Sequence, residues 1–176
     1  MLKQSLLIVL SVVLLFGLTI ILGLSESRVE ERPAVFGTVH HAQMAKILWT
    51  SINGYRTNWN TYPGLESIES SKNSRCEWVK CYINDIAKKN ADNFPFGSII
   101  VRECFGDKNE ENLETINVMI RLKGYDRVNQ GWFCARYLPD GNLDKDESGV
   151  PLAGRLLECG GNDTRSVIDD FVFAGF

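Results

Sequence analysis

Five cysteines (Cys76, Cys81, Cys104, Cys134 and Cys159) and two histidines (His40 and His41) are the side chains here best suited to metal or redox chemistry. A structural zinc site needs several soft donors converging on one point, and no paired Cys-x-x-Cys is present. His40 and His41 are neighbours, so on a helix they diverge by about 100° and make a poor two-ligand grip. Disulfide chemistry suits the cysteines better. Cys104 and Cys134 fall on two predicted strands, and Cys76 and Cys81 are close enough in sequence to close a small loop. Two bridges with Cys159 unpaired is one reading; buried thiols are the other. Asp140, Asp144, Asp146 and Glu147 cluster in PDGNLDKDESG, but the full twelve-residue calcium pattern with its closing glutamate is absent, so a solvated turn is expected. Arg102 and Glu103 are consecutive on a predicted strand, which sends them to opposite faces and argues against an acid–base pair. There is no nucleophile elbow to support a Ser-His-Asp site.

Positioning these groups falls to a few elements. Ala42, Met44, Ala45, Ile47, Leu48, Trp49 and Ile52 recur near a 3.6-residue period, predicting a helix over 39–52 closed by Asn53-Gly54. Residues 57–75 read as irregular, and Trp78–Ile83 as a short strand. Asn84 is placed to cap a helix running to about Asn90. Three strands follow: 98–105, 115–123 and 132–138. In the second, Ile116, Val118, Ile120 and Leu122 alternate with Asn117, Met119, Arg121 and Lys123, predicting one dry and one mostly wet face. Strands in succession without intervening helices make an antiparallel sheet. The fold class is α+β, an antiparallel β-sheet packed by helices.

Ahead of this domain, Leu6 to Leu24 is an uncharged run whose helix would span about 28 Å, roughly one hydrocarbon core. The length favours one retained N-terminal transmembrane helix; a cleaved signal peptide, cut near Gly23 and Ser25, is the second choice. The expected organisation is a signal anchor over 1–25, a linker over 26–36 and a domain over 37–176, the domain lying on the periplasmic or extracytoplasmic side. With 19 Lys+Arg against 22 Asp+Glu, the net charge of −3 lacks the basic field of a nucleic-acid binder.

The fragments FPFGSIIVRECF, INVMIRLKGYD, GWFCARYLPDG and a closing Asp-Phe-Val-Phe occur in this order. Together they resemble the cytochrome P-460 and cytochrome c′-beta family over about Tyr82 to Phe173. The resemblance implies an exported c-type haem protein, often dimeric, that oxidises hydroxylamine or binds nitric oxide. In that family a Cys-x-x-Cys-His motif supplies two thioether bonds and an axial imidazole. Counting back from Asp170-Phe171-Val172-Phe173, Cys159 matches the first attachment cysteine, but Asn162 stands at the second and Asp163 at the histidine. Arg102 occupies the Val-Lys-Glu position that the cross-linking lysine would hold, and a guanidinium is a poor nucleophile.

The resemblance therefore implies a degenerate member: a haem-free, non-catalytic, membrane-anchored domain with no metal. It would serve as an accessory or interaction subunit of a membrane protein complex, a homodimer or a ligand-binding module. The alternative is a haem protein acting on small nitrogen species through atypical iron ligands.

Overall fold

Thr38 opens the first helix by accepting the amide of His41 on its hydroxyl at 3.1 Å, which satisfies one of the orphan donors of the first turn. The computed structural model describes residues 37–71, 76–91, 93–127 and 130–156. The expected membrane span and linker, and the positions Cys159, Asn162 and Asp163, lie outside them. Among the described residues no helix is long and apolar enough to cross a membrane.

Helix α1 (Val39–Ser51) turns His41, Ala45 and Leu48 inward, one stripe at helical spacing. Gly54, at φ 75°, takes the left-handed conformation that starts the short helix α2 (Tyr55–Asn58). The stretch expected to be irregular also contributes two two-residue strands, β1 (Asn60–Thr61) and β2 (Glu69–Ser70). Both pair with β3 (Trp78–Ile83), so backbone pairing rather than side-chain pattern orders this segment.

Asn84 ties two elements together. Its side-chain oxygen caps α3 (Asp85–Lys88) through the amide of Ala87 at 2.9 Å and also accepts from the amide of Ile99 at 3.1 Å. Its amide nitrogen donates to the carbonyl of Gly97 at 2.9 Å. From there β4 (Ile99–Phe105), β5 (Leu113–Arg121) and β6 (Trp132–Tyr137) form a meander. The strand β7 (Ala153–Gly154) closes the far edge. The sheet order is β1-β3-β4-β5-β6-β7, with β2 also on β3 and every pairing antiparallel. The chain is α+β, as its pattern predicts.

Register sorts the core onto two faces, because directly opposed residues share a side. Tyr82, Val101, Val118, Ala135 and Ala153 are opposed in turn and meet Ala45 and Leu48 of α1 and Ile52 at its C-terminal cap. On the other face Ile83, Ile100, Met119 and Cys134 are opposed and pack beneath Tyr62, Leu65, Phe94 and Leu152. This corrects the expectation of a mostly wet second face on β5. Met119 is buried there, and Arg121 is drawn in by carbonyls, its Nε donating to Gln130 at 3.1 Å and an Nη to Phe94.

Candidate functional site

The cysteines meet differently from either expected pairing. Cys76, just ahead of β3, is joined to Cys104 on β4, with alpha carbons 5.2 Å apart. Strand β5 lies between β4 and β6, which keeps Cys104 away from Cys134. Cys81 is carried down the extended β3, too far along the strand to close back onto Cys76. All four side chains nevertheless belong to one core, on the face away from α1. Cys81 is a buried thiol, and burial pushes its pKa up to about 12 against a weaker opposing pull from Arg102. It is therefore a packing group and a poor nucleophile at neutral pH.

Arg102 and Glu103 do part to opposite faces. Arg102 shares its face with Cys81 and Asn117, and its guanidinium donates to the Ser71 hydroxyl at 3.0 Å. Glu103, only 1% exposed, turns toward α2. There the Tyr55 hydroxyl donates to its carboxylate, and Arg56 Nε donates at 2.5 Å. Tyr55 holds its proton more tightly than usual, first because it is buried and then because Glu103 is negative. Arg56 loses some solvation, yet the same carboxylate outweighs that loss and raises its pKa. The sequence reading missed this triad. A carboxylate inside an apolar strand signals that some partner must exist, but not that it comes from a helix 47 residues earlier.

The acidic cluster resolves into turn chemistry. Asp140 accepts from the amide of Asn142 at 2.9 Å, and Asp146 accepts from the amides of Ser148 and Val150, each at 2.9 Å. Asp144 pairs with Arg136 at 2.7 Å. Their oxygens face backbone amides, the Asn142 side chain and the Arg136 guanidinium, not a common point. Among the described residues no three His, Cys, Asp or Glu side chains gather as a metal site.

The two histidines also separate. His40 faces solvent, whereas His41 is 8% exposed between Tyr125 and Phe133, with ring centroids 6.3 and 6.0 Å away. Its Nε2 lies 3.3 Å from the Tyr125 hydroxyl, while Nδ1 is buried without a hydrogen-bond partner. Two surface clefts lie among the described residues. One of about 380 Å³ runs between Trp59, Asn60, Ile83 and Lys88, and one of about 320 Å³ lies between Trp49 and Tyr55. Their walls carry no acid–base pair. No protein-family model and no curated protein matches this chain.

Proposed function

We propose that this chain is a haem-free, non-catalytic relative of the cytochrome P-460 family, held at the membrane by residues 6–24 with its domain exported. Its role is that of an accessory or interaction subunit, or a ligand-binding module, on the outer side. One observation carries the reading: Asn162 and Asp163 stand where the resemblance puts the second thioether cysteine and the axial histidine. A carboxamide cannot form a thioether, and aspartate is a hard anion unsuited to haem iron.

His41, a histidine of the described residues, packs between Tyr125 and Phe133, with ring centroids 6.3 and 6.0 Å away. At the position a cross-linking lysine would hold, Arg102 is buried and hydrogen-bonded to Ser71. Both faces of the sheet are occupied by the chain's own side chains. The Cys76–Cys104 bridge supports the exported location, because disulfides persist in oxidising compartments.

The test is a native one. The full chain, solubilised in mild detergent from its own membrane, is expected to migrate with a defined set of membrane proteins. Migration as an isolated chain contradicts the accessory-subunit reading.

A further inference from the structure

The first turn of α1 buries an imidazole that has a single polar neighbour. Among the described residues His41 Nε2 meets the Tyr125 hydroxyl alone, its Nδ1 has no hydrogen-bond partner, and the Phe133 ring packs beside it at 6.0 Å. We propose that this turn is an acid-operated latch. His41 packs as neutral imidazole, and its protonation expels the ring, opening the turn and freeing the strand-edge tether that precedes it.

The surroundings give an imidazolium no support. Within α1 the nearest titratable group is His40, of like charge, and the first turn contains no acidic residue. A helix N-terminus is itself partly positive, so a cation there is disfavoured. Across from it, Tyr125 is neutral, its pKa raised to about 12 chiefly by burial. The adjacent Asp126 is engaged by Arg155 at 3.8 Å, and from β6 only the Phe133 ring faces the imidazole.

The fold also provides a hinge. Farther along α1, the Tyr137 hydroxyl holds the Ala45 carbonyl at 2.7 Å and Leu48 is buried, so the middle of the helix stays docked. On the other side of the turn, the amide of Gly37 donates to the Ala153 carbonyl of β7 at 2.8 Å. That contact is the tether that opening would release. It is a close one: a β-carbon on Gly37 would fall 2.1 Å from Val150 Cγ1.

The sign of the pH effect follows from linkage. Burial first, and His40 second, hold the His41 pKa below its ordinary 6.5. The closed turn therefore binds fewer protons than the open one. Closure is at full strength above pH 6.5 and weakens as the pH falls from there toward the packed pKa. Over that window the open fraction rises by up to about tenfold per pH unit.

Hydrogen–deuterium exchange on the full chain in detergent, corrected for intrinsic exchange rates, tests the latch between about pH 8 and pH 5. Exchange at the amides of Gly37, His41 and Ala42 should accelerate below pH 6.5, while the amides of Leu48 and Ile52 should not change. The variant His41→Phe should abolish the acceleration, and His40→Gln should keep it. Acid-independent exchange at the turn, or acceleration that survives in His41→Phe, overturns the proposal. If His41→Phe fails to fold, carbon-13 resonances of the His41 ring in the unmodified chain decide. Titration below 6.5 in step with the amides supports the latch, and titration at or above 6.5, or out of step, refutes it.

Discussion

Glu103 shows what a single residue can require of its fold. Its carboxylate lies in the core between α2 and the sheet, where an unpaired charge would be costly, so Tyr55 and Arg56 are bound to it. Replacing it by glutamine keeps the shape and removes the charge. We expect Glu103→Gln to lower unfolding stability by about 1.5–3 kcal/mol, the range for hydrogen bonds to a charged group. The lower end is favoured because Arg56 is half-exposed and water screens its share. Urea denaturation of the full chain measures this directly, and an unchanged midpoint would show that the triad adds nothing to folding. That Glu103 is anomalous could be seen in its apolar neighbours. Its partners could not, because they depend on how α2 docks. His41 hid for a similar reason: helical period separates it from His40, but only the fold sets Tyr125 and Phe133 around it.

At the level of elements, the pattern of the chain was most readable where local chemistry and burial agree. The helix α1, the strands β3 to β6 and the Asn84 cap all follow from periodicity and capping residues. The two-residue strands β1 and β2 do not, since nothing in so short a segment distinguishes a paired residue from a loop. Nor does the coverage of the second face of β5, which arises when Tyr62, Leu65 and Phe94 fold over it from distant loops. Asn84 offers the sharpest element-scale test. Asn84→Ala removes the cap on Ala87 and the ties to Ile99 and Gly97 together. A loss of about 2 kcal/mol is expected, the upper end of a capping effect. Amide exchange should rise at Ala87 and Ile99, and equal protection in both proteins would contradict the role assigned to this side chain.

For the molecule as a whole, the Cys76–Cys104 disulfide is the covalent constraint on the sheet. Cys76–Cys104 spans 28 residues of sequence, and closing a loop of that size restricts the unfolded chain by about 3–4 kcal/mol. Reduction should therefore lower the urea midpoint, and non-reducing peptide mapping should recover Cys76 linked to Cys104. Recovery of Cys104 linked to Cys134 would contradict the strand order. Which cysteines pair was hidden in the sequence because pairing is a matter of register. Val79 opposes Cys104, and that alignment brings the residues just ahead of β3 beside the far end of β4. The central proposal, that this chain is a haem-free relative of the family it resembles, is tested most directly by absorption. The full chain purified from its native membrane, examined in the Soret region and as the pyridine haemochrome, is expected to be colourless. A stoichiometric haem signal would contradict it.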